Sequence, residues 1–133
     1  MARRETVKLT RFELEVMDIL WNREEASIRE IQDAIQERKR PAYTTVQTIV
    51  ARLEEKKAVR RTRKIGNAFL FAPTLNRTSV YRRIIDEFLD LFGGSAEPVV
   101  AHLVESGKLT LEDVKAAEER TERLGGSAEE EGE

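Results

Sequence analysis

No cysteine occurs anywhere in the 133 residues, which removes disulfides, thiolate metal sites and cysteine nucleophiles together. That absence fits a reducing cytosol. There is one histidine, His102, and a single imidazole cannot build a metal site. Carboxylates are plentiful towards the C-terminus, yet no glycine-rich loop or nucleophile accompanies them, so neither an enzyme nor a cofactor is expected. Long apolar runs are missing too, and no membrane-spanning segment is expected. The N-terminal "MARRETVKLT" is basic but has no apolar stretch behind it, so it does not read as a secretory signal. Aromatics make up only 6% of the chain. Trp21 sits among periodic apolar residues, where core packing is the expected role.

Charge is what the sequence has in quantity. Charged residues are 36% of the total and the net charge is −2, but the two signs are segregated. Residues 1–83 hold 19 Lys and Arg against 11 Asp and Glu, a net of +8; residues 84–133 hold 4 against 14, a net of −10. The basic part suits a polyanion and the acidic part does not, which suggests two jobs in one chain. The length allows one ordinary domain, or a small domain with an appendage.

Periodicity supplies the elements. Thr10 and Glu13 form a capping box ahead of "FELEVMDILW", whose apolar residues recur at helical spacing. Ser27 and Glu30 form a second box, followed by Ile28, Ile31, Ala34 and Ile35 on one face. Pro41 closes that segment, since proline cannot continue a helical hydrogen-bond ladder. A third helix over 44–57 turns Val46, Ile49, Val50 and Leu53 inward. "AVRRTRKIGNAFLFAP" then alternates and is rich in β-branched and aromatic residues, predicting strands at 59–64 and 68–71 joined by "IGN". Phe69 and Phe71 are expected to pack this hairpin on the helices. Three helices and a hairpin are the order of a winged helix-turn-helix. The fold class expected is mainly α with a small β-hairpin.

Beyond residue 77 the chain becomes helical again. Tyr81, Ile84, Ile85, Phe88, Leu89 and Phe92 form a wide stripe. Val99, Val100, Leu103 and Val104 mark the inner face of a shorter helix, and Leu111, Val114, Ala117 and Leu124 that of a third. Helices totalling roughly 45 residues make a marginal core alone. The acidic half could pack back on the first domain or on a second copy of the chain; the width of the 78–92 stripe makes a second copy the expected partner. Tyr81, Ile84, Ile85, Phe88, Leu89, Phe92, Val100, Leu103, Val104 and Val114 are the candidate dimer contacts. The domain plan is therefore 1–76 for DNA binding, 77–124 for dimerisation, and 125–133 as a disordered acidic tail.

The third helix carries the candidate site. Thr44, Thr45 and Thr48 offer hydroxyls to phosphate or base and methyls to thymine, and Gln47 matches an adenine edge. Tyr43 lies at the start of the helix, within reach of a phosphate, and Arg52 lies on the same open side. Arg38, Lys39, Arg40, Arg60 and Arg61 flank this surface, while Arg63, Lys64 and Asn67 belong near the hairpin tip. The plainer alternatives are a solvated face, with Thr44 or Thr45 serving as a cap, and a winged helix that binds protein and not DNA.

"LTRFELEVMDILW", "AYTTVQTIVARLEEKKAV" and the hairpin ending "FLFAP" resemble the penicillinase-repressor (BlaI/MecI) family of bacterial transcription regulators, over about residues 7–124. The resemblance implies a winged helix on palindromic operator DNA and a C-terminal homodimer. It places the DNA-reading segment on Tyr43, Thr44, Thr45, Gln47 and Thr48. It also implies control of β-lactamase, penicillin-binding-protein or other genes beside a membrane sensor protease, and hence a link to antibiotic resistance. In the best-known members induction cuts an Asn-Phe bond in a C-terminal helix; the matching bond here is His102–Leu103, where His replaces Asn. The copper-responsive branch has a cysteine-rich C-terminus that this chain lacks.

Overall fold

The computed structural model describes residues 7–132, with side chains through residue 124. Among the described residues, helix α1 (Arg11–Arg23) is followed by strand β1 (Ala26–Ser27), α2 (Ile28–Ala34), a 3-10 turn (Glu37–Lys39), α3 (Tyr43–Glu55) and strands β2 (Val59–Ile65) and β3 (Ala68–Pro73). Helices α4 (Arg77–Asp90), α5 (Glu97–Glu105) and α6 (Leu111–Gly132) complete the order. The strands form one antiparallel sheet in the order β1-β3-β2. This is a winged helix: three helices, a hairpin, and one short strand from the α1–α2 connection.

The helix starts follow the sequence chemistry. At α1 the Glu13 amide donates to Thr10 Oγ1 (3.1 Å) while the Thr10 amide donates to Glu13 Oε1 (2.8 Å). Ser27 and Glu30 repeat the reciprocal pair at α2. Helix α2 stops at Ala34, and the Arg40 guanidinium donates to the carbonyls of Asp33 and Ile35 just past its end. A cation on orphan carbonyls of this kind stabilises a helix terminus. Ala34 is exposed, contrary to the buried face expected, because the helix ends there and Ile35 turns in alone. Val16, Met17 and Leu20 of α1, Ile31 of α2 with Ile35 just past its end, and Val46, Ile49, Val50 and Leu53 of α3 form the core, with Ala58, Val59 and Phe71 from the hairpin side.

The hairpin departs from simple alternation. Arg61 lies opposite Phe71, but Arg63 lies opposite Leu70, so Thr62 is an extra residue in β2. Directly opposed residues share a face, so this bulge turns Arg63 to the side opposite Arg61 and puts Lys64 with Arg61. The loop is Gly66–Asn67, and Gly66 has φ +60°, a conformation open to glycine at the first position of a two-residue turn.

The chain divides into two compact units, residues 1–85 and 86–133. The division falls inside α4, later than the 76/77 boundary expected, because the first turns of α4 are held on α1. In the second unit Phe88 and Phe92 meet edge to face at 5.1 Å. No residue of α4 or α5 is buried. Val100, Val104, Leu111, Val114, Ala117 and Leu124, expected on inner faces, are exposed in the single chain. Val99 and Leu103 are half-buried. The backbone of α6 is helical to Gly132; residues 125–133, expected to lack order, lie outside those whose side chains are described.

Candidate nucleic-acid interface

Helix α3 buries one stripe and leaves the other open. Tyr43, Thr44, Thr45, Gln47, Thr48 and Arg52 are all exposed, while Val46, Ile49, Val50 and Leu53 lie inside. The N-cap position is Ala42, so no side chain caps the helix. Thr44 and Thr45 are therefore not caps, and their hydroxyls remain outward. The Thr48 hydroxyl donates to the Thr44 carbonyl (3.0 Å), which fixes its rotamer and leaves its lone pairs outward. The Arg29 guanidinium lies 5.8 Å from the Tyr43 ring centroid, adding a cation beside the helix start.

A groove of about 530 Å³ joins this helix to the wing. Tyr43, Gln47, Thr48 and Asn67 line it together with Glu54, Arg61 and Phe69. Thr44, Thr45, Arg52, Arg63 and Lys64 lie outside that lining. Phe71 is buried and packs on the helices as expected; Phe69 is not, being 39% exposed. Arg61 (4.4 Å) and Lys64 (5.2 Å) both lie over its ring.

Two of the three arginines of β2, Arg61 and Arg63, are engaged within the chain. Arg63 donates from Nε (2.9 Å) and Nη2 (2.7 Å) to Glu25 Oε1, and the Thr62 hydroxyl donates to Glu25 Oε2 (2.9 Å). Arg61 donates from Nε to Glu54 Oε2 (2.9 Å). The hydrogen bond from Arg63, with that from Thr62, holds the Glu25 carboxyl below its usual range. Among the flanking cations, Arg40 is occupied at the end of α2.

Sequence reasoning missed Arg29, Glu25 and Glu54. Glu54 is seven residues after Gln47, so helical spacing alone puts it on the same side of α3. Glu25 lies in the aperiodic "NREEA", where no local signal marks it. Among the described residues no cluster of three or more metal-ligating side chains occurs, and no helix is long and apolar enough to cross a membrane.

An uncapped, hydroxyl-rich helix face beside a basic hairpin places the chain in the winged-helix class of proteins. Residues 9–123 match the penicillinase repressor family, and the chain belongs to that family of transcriptional repressors. It is 35% identical over 104 residues to the transcriptional regulator BlaI of Mycobacterium tuberculosis, covering 74% of this chain and 75% of that protein. It is 25% identical over 110 residues to the penicillinase repressor of Staphylococcus aureus, covering 82% and 86%. Its fold is also similar to a MarR mutant from E. coli complexed with operator DNA, with a TM-score of 0.53 over 91% of this chain and 79% of that one, at 14% identity.

Proposed function

We propose that the protein represses transcription as a homodimer on a palindromic operator, each subunit placing α3 in the major groove of one half-site. The observation that carries this is the open face of α3. Thr44, Thr45, Gln47 and Thr48 project together, Tyr43 and Arg29 stand at the helix start, and the wing flanks the same groove. Gln47 is the residue suited to an adenine edge; the threonines supply hydroxyl and methyl contacts. Lys64 and Asn67 at the wing reach the adjacent backbone.

Dimerisation is supported by the second unit. Phe88, Phe92, Val100 and Val104 are all more than 40% exposed in the single chain, a pattern that calls for an apolar partner. Relief by cleavage belongs to the same reading. The His102–Leu103 bond lies within α5, so a protease gains it only when that helix opens, and the cut detaches α6 from the dimer contacts on α4.

The test is binding of the full chain to a duplex selected from a random library, titrated with salt. Wild type loses roughly 10³–10⁵ in affinity between 50 and 200 mM salt if six to ten phosphates are contacted. Gln47→Ala costs about 1–3 kcal/mol at one base position and relaxes preference there. A salt-independent response with no selected sequence overturns the proposal in favour of a protein-binding winged helix.

A further inference from the structure

We propose that Glu25 and Glu54 are specificity residues: each holds a wing arginine in an internal ion pair, which withholds its charge from DNA that is not docked in register. The inference rests on the reading above, in which the wing meets the phosphate backbone.

Arg61 and Arg63 are two of the four cations that β2 carries beside the groove. Neither is free. Arg63 meets Glu25 through two nitrogens, and the second oxygen of the same carboxylate takes the Thr62 hydroxyl. That arrangement exists only because Thr62 is the bulge residue: it turns Arg63 away from Arg61 and towards the α1–β1 connection where Glu25 sits. Arg61 meets Glu54 and lies over both Phe69 (4.4 Å) and Phe71 (5.7 Å). The two carboxylates come from separate parts of the helical body, yet each ends on a wing arginine.

The pairs are weak enough to exchange. The Arg63 side chain is 63% exposed and that of Arg61 50%. Ion pairs at such exposure contribute little to stability, so a phosphate fixed at the right place by α3 can displace the carboxylate. A phosphate that is not so fixed meets two arginines whose charge is already offset by a carboxylate. Sequence-independent binding scales with the number of phosphates neutralised, so an internal carboxylate lowers it directly. Specific binding, anchored by base contacts, loses less. The consequence is a larger ratio of specific to non-specific affinity at some cost to both.

The experiment uses the full chain, a selected duplex and a scrambled duplex of the same length. Four proteins are compared over a salt series: wild type, Glu25→Gln, Arg63→Gln and the double variant. Expected for Glu25→Gln is a several-fold rise in affinity for the scrambled duplex, a smaller rise for the selected one, and a log–log salt slope steeper by about 0.9. In the Arg63→Gln background the same change has no such effect, which shows that it acts through the arginine. Glu55→Gln, an exposed residue on α3, controls for the loss of one negative charge and leaves the slope unchanged. Glu54→Gln repeats the test on Arg61 if the first variant is misfolded by its melting curve. A fall in affinity, or an equal effect from Glu55→Gln, overturns the proposal while leaving the DNA interface intact. Wild type that binds neither duplex in a salt-dependent way removes the interface itself, and this inference with it.

Discussion

Glu13 serves two neighbours. Its Oε1 accepts from the Thr10 amide and from Lys56 Nζ (2.6 Å), and the residue is only 2% exposed. Burial raises its pKa, but the hydrogen bonds from Lys56 and Thr10 and the Lys56 charge outweigh it, and the net direction is downward from 4.5. A depressed folded pKa adds stability above the unfolded value, and the gain is lost as pH falls through the folded one. Glu13→Gln is therefore expected to melt earlier at neutral pH, by about 1–3 kcal/mol of stability, and the gap to wild type narrows below pH 4.5; melting curves across pH 3–7 check this. The capping box was legible from Thr10 and Glu13 alone. The link to Lys56 was not, since it joins residues 43 apart and no local rule reports what lies behind a cap. Lys57 is a second residue-scale case. It ends α3 at φ +63°, with its own amide on Glu54 O and the Ala58 amide on Leu53 O, a Schellman closure normally made by glycine. Lys57→Gly is expected to raise stability by about 0.5–1 kcal/mol, read from denaturant midpoints.

Two elements show how far periodicity reaches. The α3 stripe and the α1 stripe were readable because one face of each meets a core and the 3.6-residue repeat persists through it. The wing was readable as a hairpin, but its faces were not: alternation assumes one residue against one, and Thr62 breaks that count. The strand β1 was invisible because two residues, Ala26 and Ser27, carry no pattern, and Ser27 already signals a helix start. The α1–α4 joint was equally hidden. Arg77 Nη2 donates to Asp18 Oδ1 (2.9 Å) and Asn22 Oδ1 (2.8 Å), and its guanidinium lies 5.3 Å from the Trp21 ring. Trp21 donates to the Leu75 carbonyl (2.9 Å) and meets Tyr81 edge to face at 5.8 Å. Trp21 thus packs on the core as the sequence suggested and also anchors the start of α4. Arg77→Ala is expected to free the first turns of α4, seen as faster amide exchange there and a red shift of the single tryptophan's emission.

At the scale of the molecule, the charge segregation visible in the sequence survives in the fold. The winged helix and the wing cations lie in the first compact unit, and α5 and α6 lie in the acidic second one. The sequence also showed that α4–α6 have apolar faces; it could not show that the chain would leave them uncovered, because a stripe records what is apolar and not what touches it. Phe88→Asp is expected to give a monomer by sedimentation and to weaken operator binding through lost effective concentration of the second half-site contact, while half-site binding by the first unit persists. The uncovered faces of Phe88, Phe92, Val100 and Val104 carry one more consequence. A protein whose second unit is completed by its own copy has no fixed melting point: its midpoint climbs with the logarithm of protein concentration. Under the proposed homodimer, each dilution, by cell growth or by halted synthesis, loosens the second unit and the repression together, so the abundance of the chain becomes a control variable.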